Sequence, residues 1–175
     1  MYVVKPFTWE ALWGDTRLHA YGADPTKDKV GILFTVSGIE GIDCEIENEE
    51  EKTTLMHAVK KDPAKFGLLK GEEYPLIIAF DSIGEDVSFQ IHPTDEFART
   101  YNGGRGKPEA WGILDAPEDG SIEFGHHAKT REEFKEWTEN REWDKLLRYL
   151  HTPINGFIEG IKLFAKILLT VDEVL

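Results

Sequence analysis

Two neighbouring segments of the chain carry side chains that could hold a metal ion. In the run 87–93, Gln90 and His92 are two residues apart among β-branched and aromatic neighbours, so a strand would direct both to one face. Glu109, in the second segment, could complete a set of three ligands. An amide oxygen, an imidazole and a carboxylate suit zinc or a similar divalent ion, and three protein ligands plus water are typical of a catalytic zinc site. On spacing alone, however, a single histidine beside an apolar strand is more often a hydrogen-bonded core or rim residue.

Apolar runs bounded by Gly, Pro and Asp predict about six strands that must position these residues. They are Val30–Val36 and the ranges 42–46, 76–80, 87–91, 110–114 and 121–124. The first two are predicted to form a hairpin-like pair across 37–41. A short helix is predicted over 53–59, with His57 on its surface.

Helical patterns dominate the later part of the chain. Thr130 and Glu133 form a capping-box pattern, and apolar residues at helical spacing continue to Leu150, with a break near Asn140 and a stop at Pro153. From 157 onward, apolar residues recur every three to four positions, which favours a second helix. The expected fold class is mostly β with α: a barrel or sandwich with a helical insertion and a C-terminal helix.

Several short motifs follow one another in order along the chain. They are Lys5-Pro6, Trp13-Gly14, the apolar run 75–81, Gln90-x-His92-Pro93, Asp95-Glu96-Phe97-Ala98, Gly106-Lys107-x-Glu109-x-Trp111, Ile113-Leu114-Asp115, Phe124-Gly125-His126 and a helix with Glu142-Trp143. Together they resemble the type I mannose-6-phosphate isomerases, zinc enzymes built on a cupin barrel. The resemblance covers 74–149 well and the first fifty residues weakly.

This resemblance implies a single cupin-like domain over 1–175, a jelly-roll barrel, with a sugar phosphate as its small-molecule partner. It implies that Gln90, His92 and Glu109 are the metal ligands, with zinc or another divalent metal as cofactor. It places Lys107 in the sugar-phosphate pocket as the candidate catalytic residue. The implied reaction is an aldose–ketose isomerisation between mannose-6-phosphate and fructose-6-phosphate, in which a proton moves between C1 and C2.

The chain also departs from the family pattern. The family's fourth ligand is a His in a P-x-G-T-x-H-A segment after the helix, and no such segment occurs here. His151 and then His126 are the candidates to replace it. Ile32 stands where the family has the acid of an early G-E-x-W motif. Because a helix is predicted from 157 onward, the C-terminal part of the family barrel is expected to be missing.

Bulk composition narrows the functional classes. A length of 175 residues favours one domain, and a formal charge of −13 argues against binding to nucleic acid or anionic membrane. Local positive charge for a phosphorylated sugar could still come from Arg99, Arg105 and Lys107.

The chain has no apolar run near the roughly 18 residues of a membrane helix and no signal-peptide layout at its start, which predicts a cytoplasmic protein. The single cysteine, Cys44, excludes an internal disulfide.

Two other functions compete with the isomerase. One is a noncatalytic cupin that binds metal or sugar, or an inactive relative that acts as an interaction partner, which the missing His and the changed early acid favour. The other is a different small-molecule enzyme on the same barrel, because one fold hosts many chemistries. The apolar face of the C-terminal segment could contact another subunit, so a homo-oligomer is also expected.

Overall fold

The computed structural model describes residues 1–85, 87, 92–101, 104–115, 120–151 and 165–167. The chain divides into two compact units, Met1–Ser88 and Phe89–Leu175. The prediction of a single domain over 1–175 stays a prediction. Among the described residues, no helix has the length and apolar character needed to cross a membrane.

The first unit is built from two three-stranded antiparallel sheets and one α-helix. Its elements are β1 (Val3–Lys5), β2 (Phe7–Asp15), β3 (Val30–Val36), β4 (Glu45–Glu47), β5 (Lys52–Thr54), α1 (Leu55–Lys61) and β6 (Ile78–Asp81), with 3₁₀ turns at Arg17–Tyr21 and Pro63–Phe66. One sheet has the order β1-β4-β5 and the other β2-β3-β6. The predicted strand Val30–Val36 is therefore confirmed as the centre of the second sheet.

Two clusters of buried apolar side chains stabilise this unit. Val30 and Leu33 of β3 are fully buried in one cluster with Leu18 and Ala23, and Phe80 of β6 packs against it. On α1, Leu55 and Val59 lie four residues apart on the face that packs against Ile46 of β4. The cap of this helix comes from the preceding strand.

The first turn of α1 follows the capping rule for helix starts. The Thr54 hydroxyl accepts a hydrogen bond from His57 N at 3.3 Å. The predicted helix is thus confirmed, shifted by two residues, and His57 lies exposed on its surface.

The predicted hairpin between Val30–Val36 and 42–46 is wrong. Both edges of β3 are already paired, with β2 on one side and β6 on the other, so β4 joins the other sheet. The connection between them is held by Cys44, whose N–H donates to Ser37 O at 2.8 Å and whose thiol lies 3.2 Å from Phe34 O. Cys44 is fully buried and free.

The second unit combines short helices with two antiparallel strand pairs. Its elements are α2 (Asp95–Tyr101), β7 (Glu109–Trp111), β8 (Ser121–His126), α3 (Arg131–Glu139), α4 (Trp143–Leu146), β9 (Leu147–His151) and β10 (Ala165–Ile167). β8 pairs with β9, and β7 pairs with β10. The strand predicted over 121–124 is confirmed, and the strand predicted over 110–114 is confirmed only at 110 and 111, because β7 ends at Trp111. Most of 87–91 lies outside the described residues.

The helix predicted from Thr130 begins as expected and breaks near Asn140, as predicted. The Thr130 hydroxyl accepts from Glu133 N at 3.1 Å, and Glu133 Oε2 accepts from Lys129 N at 2.7 Å, one residue before the position that a standard capping box would use. α3 ends at Glu139 with Asn140 as its C-cap. Helix resumes for one turn in α4, Trp143–Leu146, but its continuation from Leu147 to Leu150 is wrong, because pairing with β8 holds Leu147–His151 as a strand.

The helix predicted from 157 onward is wrong where it can be compared. Ala165–Ile167 form strand β10, with Ala165 opposite Trp111 and Ile167 opposite Glu109. Apolar spacing in a short segment does not separate helix from strand, whereas pairing with β7 supplies backbone hydrogen bonds from another segment. The rest of this segment lies outside the described residues, and its proposed role in oligomerisation stays a prediction. The sheet-rich architecture with a few helices confirms the predicted fold class.

Candidate functional site

Two elements of the second unit position the candidate residues. His92 comes just before α2, which begins at Asp95 with the Thr94 hydroxyl accepting from Phe97 N at 3.1 Å. Glu109 is the first residue of β7. Lys107 lies two residues earlier, so an extended backbone directs both side chains to the same side.

His92 and Glu109 form a close imidazole–carboxylate pair. The distance from His92 Nε2 to Glu109 Oε2 is 2.7 Å. The side chains are 15% and 25% exposed, so the pair is partly shielded from water. The second carboxylate oxygen, Glu109 Oε1, lies 3.0 Å from Lys107 Nζ, and Lys107 is half exposed. One carboxylate therefore joins an imidazole and an ammonium group.

The charges around Glu109 keep it ionised. Burial raises the pKa of Glu109, but the hydrogen bond and charge of Lys107 and the contact with His92 together lower it below the usual 4.5. An ionised carboxylate only accepts hydrogen bonds, so His92 Nε2–H is the donor in the pair. The imidazole nitrogen that faces the carboxylate thus carries a proton in this state.

The structure brings together three of the four residues predicted for the site. His92, Glu109 and Lys107 converge, whereas Gln90 lies outside the described residues. Within the described part of the chain, no group of three His, Cys, Asp or Glu side chains is arranged to hold a metal ion.

The candidates for a fourth ligand lie on the other strand pair. The His126 ring packs edge-on against Phe134 at 5.0 Å, and its Nδ1 is buried without a hydrogen-bond partner in the described ranges. His151 belongs to β9, and its side chain is not among those that the structure describes. The assignment of either residue as a ligand stays a prediction.

Sequence reasoning treated Trp111 only as part of a motif. Trp111 follows Glu109 by two residues on β7, and its indole Nε1 is buried with no hydrogen-bond partner among the described residues. Strand alternation places it on the same face as Glu109, and this spacing was the signal that could have singled it out. A buried indole N–H without an acceptor is uncommon, because the lost hydration is not replaced.

Comparison with known proteins finds similarity in sequence to named isomerases. No protein-family model matches the chain. GmuF of Bacillus subtilis (strain 168), named a probable mannose-6-phosphate isomerase, is 36% identical over 157 residues, which are 88% of this chain and 50% of GmuF. ManA of the same organism, named mannose-6-phosphate isomerase, is 34% identical over 155 residues, 87% of this chain and 49% of ManA.

The fold agrees with the sequence comparison. The crystal structure of the mannose 6-phosphate isomerase from Bacillus subtilis superposes with a TM-score of 0.81 at 26% identity, covering 87% of this chain and 49% of that one. The chain spans about half the length of the curated relatives that it matches. It is therefore a relative of the mannose-6-phosphate isomerases, similar to them in sequence and in fold over that half.

Proposed function

We propose that the chain contributes to a metal-dependent aldose–ketose isomerase of sugar phosphates, of the type that interconverts mannose-6-phosphate and fructose-6-phosphate. The observation that carries this proposal is the contact of 2.7 Å between His92 Nε2 and Glu109 Oε2, with Lys107 on the other carboxylate oxygen. The names and fold of the relatives support the same reaction class. The substrate class is a phosphorylated sugar.

The donor atoms of the pair fit a divalent ion. An imidazole nitrogen and a carboxylate oxygen are zinc ligands, and Gln90 is the proposed third. Bound there, zinc or a similar ion would polarise the carbonyl or hydroxyl oxygen of the sugar. His92 Nε2 must lose its proton to become a ligand, so metal binding replaces the hydrogen bond seen here and weakens as the pH falls.

Lys107 is the proposed contact for the anionic part of the substrate. Its ammonium is a compact charge, half exposed and held beside the pair by Glu109 Oε1. In that position it can bind a phosphate oxygen or the oxygen that becomes negative as a proton moves between C1 and C2. It also offsets, locally, the negative charge of a protein with formal charge −13.

The proposal is tested by measuring metal content and isomerase activity on the same samples. The wild-type protein, loaded with zinc, should hold the metal and convert mannose-6-phosphate to fructose-6-phosphate. His92→Ala and Glu109→Gln should each weaken zinc binding by about 10-fold or more, because each removes a ligand. His57→Ala is the matched control, since His57 is an exposed histidine of the first unit. Zinc affinity that is unchanged in both site variants would refute the metal site.

A noncatalytic metal- or sugar-binding protein is the second candidate. Two observations favour this function. Among the described residues only two potential zinc ligands, His92 and Glu109, come together, and Ile32 stands where the family motif has an acid. Zinc and sugar phosphate that bind in the same assay without conversion would select this function. Conversion by the zinc-loaded protein would exclude it.

A further inference from the structure

The turn after His92 and the segment before Glu109 are joined by backbone contacts. Lys107 N donates to Pro93 O at 3.3 Å, and Gly106 N donates to the Asp95 side chain, at Oδ1, at 2.9 Å. These segments carry the two members of the imidazole–carboxylate pair. The contacts between them therefore lie on the same backbone segments as the pair.

Gly106 allows this approach because it has no side chain. A Cβ at position 106 would lie 2.6 Å from Pro93 O and 2.7 Å from Asp95 N, closer than real Cβ atoms come to other heavy atoms. Both obstacles are backbone atoms, which cannot move without opening the contact. Gly104, in the same segment, has no atom within 4 Å of such a Cβ. The requirement for glycine is thus specific to position 106.

The Asp95 carboxylate is available for this contact because the helix has another cap. The Thr94 hydroxyl already accepts from Phe97 N at 3.1 Å, as an N-cap residue does. A carboxylate that accepts from a backbone N–H makes a stronger hydrogen bond than a neutral acceptor. The helix itself is anchored, since Ala98 is fully buried and its carbonyl accepts from Gly104 N at 3.3 Å.

We propose that Asp95 is a positioning residue, which, together with the close approach at Gly106, holds the segment of Lys107 and Glu109 against the turn after His92. The imidazole–carboxylate pair then keeps its geometry before any metal or substrate binds. The part of this proposal that concerns metal affinity rests on the proposed function. The part that concerns the backbone contact does not.

The backbone contact is tested in the metal-free protein by amide hydrogen exchange, measured by NMR. In Asp95→Ala, exchange at Gly106 and Lys107 should become about 3- to 10-fold faster, since one hydrogen bond is lost. Asp95→Asn keeps an oxygen acceptor and should remain within about twofold of wild type. Gly106→Ala should expose the Lys107 amide, whereas Gly104→Ala is the matched control without effect. Amides of α3 report whether the unit stays folded.

The positioning role is tested with cobalt(II), a visible-absorbing substitute for zinc. Cobalt(II) affinity should fall about 10-fold in Asp95→Ala and Gly106→Ala, because removing groups that orient metal ligands weakens metal binding by about that much. It should be retained in Asp95→Asn and Gly104→Ala. If exchange at 106 and 107 is unchanged in Asp95→Ala, the contact does not hold the segment and the proposal is overturned. Faster exchange at 106 and 107 in Asp95→Ala with unchanged cobalt(II) affinity would also overturn the positioning role. Loss of amide protection throughout α3 in that variant would overturn it too, because the substitution would then unfold the unit.

Failure of the wild-type protein to bind cobalt(II) would bear on the metal site and not on the backbone contact. That result would refute the proposed metal site, while the exchange experiment would still decide whether Asp95 holds the segment. The two failures are therefore distinguishable.

Discussion

At the scale of single residues, the site centres on one carboxylate. Glu109 accepts from His92 through one oxygen and pairs with Lys107 through the other, so both neighbours depend on its ionised state. An ordinary salt bridge is the simplest alternative to a substrate-binding role for Lys107, and its ammonium does form an ion pair with Glu109 in this structure. The two roles are compatible, because a half-exposed ammonium can keep one partner and bind another.

Replacing Lys107 tests this arrangement through the pKa of Glu109. Burial raises that pKa and Lys107 lowers it, so Lys107→Ala should raise the pKa of Glu109 toward or above the usual 4.5. Carboxyl carbon shifts in an NMR titration measure the change. Because the pair is partly exposed, the free energy of unfolding at pH 7 should change by no more than about 1 kcal/mol, while sugar-phosphate affinity falls.

Lys135→Ala provides the control for Lys107→Ala, since Lys135 pairs with Glu139 on the exposed surface of α3. That substitution should leave both the pKa of Glu109 and sugar-phosphate affinity unchanged. A pKa of Glu109 that stays the same in Lys107→Ala would mean that the ion pair does not form in solution.

At the scale of elements, Asp15 ties the end of β2 to the chain after β6. Asp15 Oδ1 accepts from the buried Ser82 hydroxyl at 2.6 Å, and Oδ2 accepts from Arg17 Nε at 2.8 Å. Arg17 also donates to Ile83 O at 2.8 Å. The hydrogen bond from Arg17, followed by that from Ser82, lowers the pKa of Asp15 to about 2, although partial burial opposes it. This cluster closes one end of the β2-β3-β6 sheet.

Replacing Asp15 should reduce stability in a pH-dependent way. A carboxyl whose pKa is lowered by folding stabilises the protein above its unfolded pKa, near 3.8, and loses this contribution as the pH falls toward about 2. Asp15→Asn should therefore lower the free energy of unfolding by about 1 kcal/mol at pH 6, and by less at pH 3. Urea denaturation at the two pH values measures the difference.

The exposed Asp28 of the same unit supplies the control for Asp15. Asp28→Asn should change the free energy of unfolding little at either pH. If Asp15→Asn lowers the free energy of unfolding equally at pH 6 and pH 3, ionisation of Asp15 does not contribute to stability. The loss would then come from its hydrogen bonds alone.

At the scale of the whole molecule, excess negative charge is the dominant electrostatic feature. The chain has 33 acidic and 20 basic side chains, apart from histidine, which gives the formal charge of −13. Such an excess makes the folded chain repel itself. Lys107, beside the imidazole–carboxylate pair, opposes this only locally.

Salt should therefore stabilise the protein. Between 10 mM and 150 mM NaCl the screening length falls from about 30 Å to about 8 Å, which weakens long-range repulsion more than close ion pairs. We expect the thermal midpoint to rise by about 2–4 °C, the change that corresponds to roughly 1 kcal/mol for a chain of this size. KCl should act like NaCl, which separates screening from specific ion binding. A midpoint that falls with salt would mean that attractive ion pairs outweigh the repulsion.

The sequence by itself determined the features that depend on local chemistry. Thr130 and Glu133 predicted the start of α3, because a cap depends on residues three positions apart. The apolar run Val30–Val36 predicted a strand, because its length and composition match a buried β-strand. The spacing of Lys107 and Glu109 placed both on one face, as the structure shows.

Only the tertiary structure decided the features that depend on distant partners. Leu147–His151 and Ala165–Ile167 are strands because β8 and β7 pair with them, although their apolar spacing also fits a helix. The contact of Asp95 with Gly106 joins residues eleven positions apart, and neither residue type predicts it. The resemblance to the isomerases predicted that His92 and Glu109 lie close together. The hydrogen bond between them depends on how the turn after His92 packs against β7. Short-range patterns set the conformations that a segment can adopt, and long-range pairing selects among them.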